Sequence, residues 1–123
     1  MNNEKSETIT LRRDEKRPLK FNGETLRTAI RKFAFEDDDG TKQAYEHEAT
    51  LYRTETGKYV LEFTIYDETN EKWNCRYGWA NADLKALVSE ALQEAGNGFL
   101  DNDILAEVFE DTELGEQFVE QID

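Results

Sequence analysis

One histidine and one cysteine stand among the 123 residues, so chemistry that needs an imidazole or a thiol is confined to His47 and Cys75. His47 lies between Glu46 and Glu48, where a carboxylate could orient it as a general base. It shares the parity of Tyr45, Ala49 and Leu51, however, and a half-buried sheet histidine is the favoured reading. Cys75 alternates with Trp73, Tyr77 and Trp79 and reads as inert core, because a nucleophilic thiol needs exposure and a neighbouring base. Three consecutive aspartates, Asp37 to Asp39, invite calcium. With Gly40 at the sixth position of an EF-hand loop, Asp37, Asp39 and Glu46 fall at ligand positions, but the first ligand would be Phe35, which has no side-chain oxygen. A turn explains the run better, with Gly40 supplying a positive φ and the aspartates bonding their own backbone. No Cys/His set fits zinc, and neither a dinucleotide fingerprint nor a phosphate loop occurs. Carboxylate pairs are plentiful, but among 28 acids any spacing arises by chance. No catalytic, cofactor or metal residue is assigned, and no cofactor is expected.

These residues must be positioned by elements with three properties: a single domain spanning 1–123, a cytoplasmic setting and a strongly acidic surface. The length suits one domain with a real core, and 11% aromatics argues against disorder. One cysteine excludes an internal disulfide and fits a reducing compartment. The N-terminus lacks the charged-then-apolar order of a signal peptide, and no apolar run is long enough to span a membrane. The net charge of −13 is uneven: residues 1–35 carry +4, whereas the last 43 residues hold twelve acids and only Lys85. Such a field repels nucleic acid and membrane phosphate and attracts basic partners. A merely solubilising surface is the favoured explanation of the charge itself.

Residues 7–79 read as mainly β and 81–123 as mainly α, after a flexible 1–6. Ile9 and Leu11 alternate with threonine and arginine in a first strand. Asp14–Arg17 is a turn and Leu19–Phe21 a short second strand, with Asn22-Gly23 as a hairpin signal. For 24–36 two readings stand. Leu26, Ala29, Ile30, Phe33 and Ala34 have helical spacing, whereas Asn22-Gly23 and the Phe33–Phe35 alternation favour a strand, the reading adopted. Residues 42–54, 58–66 and 72–79 form a three-strand meander with turns at Glu55–Gly57 and Asp67–Glu71. Tyr59, Leu61, Phe63 and Ile65 mark the buried face of its middle strand. The third strand carries Trp73, Cys75, Tyr77 and Trp79 on one face. That ladder suits a sheet covered by helices, in preference to a stacking platform for single strands or sugars, which would need more basic residues than Arg76.

From Asn81, placed as an N-cap, the period becomes 3.6. Leu84, Leu87, Val88, Ala91 and Leu92 form one stripe, ended by Gly96. A second helix, capped by Asp101 or Asn102, buries Ile104, Leu105, Val108 and Phe109. A third, capped by Thr112, runs from Glu113 to Gln121 with Leu114, Phe118, Val119 and Ile122 inward. The fold class expected is α+β: an antiparallel meander sheet of about five or six strands followed by two or three C-terminal helices on one face. The outward acids Asp101, Asp103, Glu107, Glu110, Asp111, Glu113, Glu116 and Glu120 are the candidate partner-binding set. The basic residues Arg12, Arg13, Lys16 and Arg17 either pair with the acidic tail or form a second contact surface.

The C-terminal Glu120-Gln121-Ile122-Asp123, with the preceding Leu51–Thr54, Gly57–Val60 and acidic helical tail, resembles the EXLDI family of small uncharacterised prokaryotic proteins. Ile122 stands for the Leu of that motif, and the final Ile is absent. The resemblance implies no active site. Three functions fit: a non-catalytic accessory protein docking a basic protein partner, with an inhibitor, immunity or antitoxin role in this class; a nucleic-acid mimic occupying a DNA-binding protein; and a hydrolase with carboxylates on the sheet. The first is favoured. No direct contact with nucleic acid or membrane is expected.

Overall fold

A single strand, β2 (Lys16–Glu36), runs for 21 residues and pairs with two different neighbours. Its first part joins β1 (Glu7–Arg13), with Ile9 opposite Phe21 and Leu11 opposite Leu19. From Gly23 onward it joins β3 (Lys42–Thr54), which pairs in turn with β4 (Tyr59–Asp67) and then β5 (Cys75–Asn81). The result is a five-stranded antiparallel sheet in the order β1-β2-β3-β4-β5. Two helices follow, α1 (Leu84–Ala95) and α2 (Asn102–Val108), so the fold is α+β. The computed structural model describes residues 7–96, 100 and 102–115.

The segment 24–36 is therefore strand, and its helix-like spacing has a physical origin. The register shifts between Thr25 and Arg27, leaving Leu26 as a bulge residue. A bulge exchanges the two faces of a strand. Beyond it Ala29 and Phe33 point with Ala49 and Tyr45 to one face, while Ile30 and Ala34 point to the other. Asn22-Gly23 is not a hairpin turn, a correction to the sequence reading. The turn lies earlier, at Asp14-Glu15, where Glu15 takes φ 60°. Gly23 is instead needed in mid-strand. A Cβ built there would lie 2.3 Å from the Arg53 carbonyl oxygen, so only glycine allows β3 to approach as closely as it does.

The other turns fall where the sequence places them. Gly40 and Gly57 adopt φ 85° and 89°, and the Asp39 carboxylate accepts from the Thr41 N–H at 2.9 Å. Among the described residues no group of three His, Cys, Asp or Glu is arranged to hold a metal. The start of the third meander strand differs from expectation. Glu71–Trp73 form a 3₁₀ turn, held because Asn70 caps it and Asp67 accepts from Thr69 and Asn70. Trp73 thereby leaves the aromatic ladder and is 68% exposed.

The helices cover one sheet face. Ala29, Ala49, Leu51, Leu61, Phe63, Ile65 and Trp79 pack against Leu84, Leu87, Val88 and Ala91 of α1, Ile104, Leu105 and Val108 of α2, and the following Phe109 and Leu114. Asp83, not Asn81, caps α1. Leu92 stays exposed, and Ala95 takes the inward place expected of it. Of the expected third helix, Thr112 accepts from the Leu114 N–H, and the remainder from Glu116 lies outside the described residues.

The sheet curls away from the helices. Ile9, Leu11, Leu19 and Phe21 fold over Tyr52 and Val60 into a second small core. The curl is fastened at β5: the Asp14 N–H donates to the Arg76 carbonyl, and the Arg76 N–H to the Asp14 carboxylate, both at 2.9 Å. Lys16 adds an ion pair to Glu94 at 2.9 Å. The Glu94 carboxylate also accepts from the Trp79 indole at 2.6 Å. The Lys16 contact first, and then the Trp79 N–H, hold its carboxyl below the ordinary range against the opposing effect of burial. Both faces of β4 are consequently buried, not one. Substituting Gly23→Ala is expected to cost about 1–3 kcal/mol, measured by urea unfolding. An unchanged midpoint would contradict the close approach of β3.

Candidate functional site

The register of β2 to β5 lays out the concave face in rows. Lys32, Glu46 and Tyr66 form one row, and Ile30, Glu48, Thr64 and Arg76 the next. Thr28, Thr50, Glu62 and Gly78 follow, and then Tyr52 and Val60 beside the second core. Paired residues of an antiparallel ladder point to the same face. Glu48 and Glu62 are therefore diagonal neighbours on the inside of the curl, bracketed by the phenols of Tyr52 and Tyr66.

Hydrogen bonding orders only part of this array. The Tyr52 hydroxyl donates to Glu62 Oε1 at 2.7 Å, and the Thr28 and Thr50 hydroxyls are 3.2 Å apart. Burial, and then the Glu62 bond, push the Tyr52 phenol well above its usual range. Tyr66 is raised by burial and by the charges of Glu48 and Glu62, with Thr64 and Arg76 partly offsetting them. The Glu48 carboxyl is raised by burial first and then by the charges of Glu62 and Glu46. Lys32 reaches Glu46 only at 3.9 Å. The concave face thus concentrates negative charge in a partly desolvated place. Chemically, such an array can accept an ammonium or guanidinium group.

His47 and Cys75 are on the opposite face, in register with Ile65 between them. His47 is buried against Phe33 and Phe63, with ring centroids 4.7 and 5.5 Å away. Burial raises the Cys75 thiol, and the charge of Asp14 adds to the effect. A raised thiol holds less thiolate. Phe63, Tyr77 and Trp79 continue the aromatic run as stacked pairs within the helix-covered core.

The acids named from sequence divide into three groups. Glu107 pairs with Arg31 at 3.0 Å, Asp111 with Arg27 at 2.9 Å, and Glu110 also with Arg27. Asp103 and Glu113 are exposed, and the Asp103 carbonyl accepts from Arg31. Asp101, Glu116 and Glu120 lie outside the described residues. Among the described residues, Glu107, Glu110 and Asp111 are met by Arg27 and Arg31 of β2. Of the basic N-terminal group, Lys16 pairs with α1, and Arg13 donates to the Arg17 and Gly78 carbonyls.

Sequence reasoning missed Glu48 and Glu62 because they occupy the polar positions of strands that have an obvious apolar face. The available signal was Tyr52, Val60 and Tyr66 at those same positions, too apolar for a solvent face. No protein-family model, curated protein or solved structure matches the chain. Among the described residues no helix is long and apolar enough to cross a membrane.

The raised Glu48 carboxyl makes a stability prediction. Its folded pKa lies above the unfolded value, so ionisation costs stability as pH rises through that window, and the cost is full at neutral pH. Glu48→Gln is expected to equal or exceed the parent at pH 7, by no more than about 1 kcal/mol at so exposed a site. The difference should vanish below the unfolded pKa. Denaturant unfolding across pH 3–7 measures it, and a clear loss at pH 7 would contradict the assignment.

Proposed function

We propose that the protein is a non-catalytic cytoplasmic binding protein that docks a basic protein partner, with the concave face of β3 and β4 as the receiving surface. The single observation supporting this reading is geometric: Glu48, half-buried, lies diagonal to Glu62 and on the same face as Glu46, and burial and both charges raise its carboxyl. A lysine or arginine from a partner would supply the opposite charge, with Tyr52 and Tyr66 flanking its stem. Inhibitor, immunity and antitoxin proteins are the kind of accessory protein that such a surface suits. The acids of α2 and the turn after it offer less, since Glu107, Glu110 and Asp111 already face Arg27 and Arg31. For the same reason a nucleic-acid mimic built on that helix draws thinner support.

A second reading, a hydrolase, draws on the same array, since burial and like charges raise the Glu48 carboxyl and Glu62 is hydrogen-bonded by Tyr52. The two readings part on one experiment. In an NMR titration at low salt with an arginine-rich peptide, shifts are expected at Glu48, Glu62 and Tyr66, and Glu48→Gln with Glu62→Gln should weaken binding on the order of tenfold. Binding should also weaken with added salt and as pH falls through the Glu48 carboxyl. Shifts confined to Asp103 and Glu113, or none, would overturn the concave-face reading. Hydrolytic turnover lost in the same variants would favour the enzyme.

A further inference from the structure

Among the described residues, β1 covers the outer edge of β2 as far as Gly23. Among the described residues no strand pairs with that edge from Glu24 to Glu36. This stretch also carries four of the exposed large apolar side chains: Leu26 at 40%, Ile30 at 45%, Phe33 at 39% and Phe35 at 51%. A long, apolar, unpaired edge is a template for another strand. The Ile30 carbonyl accepts a 3.2 Å bond from the Arg31 side chain instead of being closed off by a neighbouring strand on that side.

We propose that this edge is a self-association surface, on which β2 of one copy pairs antiparallel with β2 of a second copy about a two-fold axis through Ile30. The occupant is argued from charge and register. Two-fold pairing across a continuous sheet keeps each face on its own side, so only registers pairing residues of like parity are allowed. With Ile30 opposite Ile30, Arg27 faces Phe33, Thr28 faces Lys32 and Ala29 faces Arg31. Each cation then meets an uncharged residue, and Arg27 meets an aromatic face. The register one step toward the C-terminus sets Arg31 on Arg31, and one step toward the N-terminus sets Arg27 on Arg31, which like-charge repulsion disfavours. Arg27 and Arg31 are meanwhile neutralised by their own α2 segment. The bulge at Leu26 limits the regular pairing to 27–33, a length that Ile30 bisects.

Pairing of this kind joins the two sheets into one of ten strands, with all helices on one face and both concave acidic faces on the other. The pairing uses the outer edge of β2, and its axis residue Ile30 also lies in the row of Glu48 on the concave face. The pairing is tested on the full chain by sedimentation equilibrium from about 1 to 100 µM, a range bracketing the micromolar affinities of weak complexes. The expected result is a species of twice 14.3 kDa. Ile30→Lys, at an exposed side chain that leaves the core untouched, should raise the dissociation constant on the order of a hundredfold, since it sets two like charges on the axis. Ile30→Cys in a Cys75→Ser background should cross-link between copies under mild oxidation, whereas Leu26→Cys should not. A chain monomeric throughout, or a dimer indifferent to Ile30→Lys and unlinked through Ile30→Cys, would overturn the proposal.

Discussion

A straight strand of 21 residues would be about 70 Å long, roughly twice the diameter of a domain of this size. β2 must therefore bend, and the rest of the structure depends on how it does so. The bend is built at Gly23, where a missing side chain lets β3 approach, and at Leu26, where one extra residue exchanges the faces of the strand. Before the bend, Leu19 and Phe21 belong to the small inner core. After it, Ala29 belongs to the large core under the helices. One strand thus contributes to two cores, while its Leu26, Ile30, Phe33 and Phe35 side chains stay exposed.

From that bend follows the closure of the curl. The β1–β2 turn reaches β5, where Asp14 and Arg76 exchange two hydrogen bonds, and Lys16 reaches Glu94 on α1. The inner face is then shielded by protein along one end and open along the other. At the shielded end it is apolar, with Tyr52 edge-on to Phe21 at 5.4 Å. Toward the open end it carries Glu62, Glu48 and Glu46. Carboxylates there feel partial desolvation, and burial together with the charges of Glu62 and Glu46 raises Glu48.

Much of this was legible in the sequence where a single physical rule acts. Tyr59, Leu61, Phe63 and Ile65 alternate because one face of β4 meets the helices. Ile104, Leu105, Val108 and Phe109 space themselves at 3.6 because α2 and the turn after it are buried on one side. Where two rules compete, the pattern misleads. Residues 24–36 imitate a helix because a bulge converts a period of two into runs that resemble 3.6. Asn22-Gly23 imitates a hairpin because glycine serves close approach as well as turns. Trp73 reads as core because alternation continues through a residue that the Asp67 and Asn70 caps have turned outward. The candidate site was hidden for a related reason: in a curled sheet, the face that looks solvent-facing in sequence is the inside of the curl.

The concave carboxylates Glu48 and Glu62 are held close together and partly desolvated. Carbon-detected NMR titration of the glutamate side-chain carboxyls tests this directly in the intact chain. Glu48 should titrate above the ordinary value of 4.5, and its midpoint should fall when Glu62 is replaced by Gln, which removes the nearest like charge. A Glu48 midpoint at or below the ordinary value, unmoved by Glu62→Gln, would contradict it.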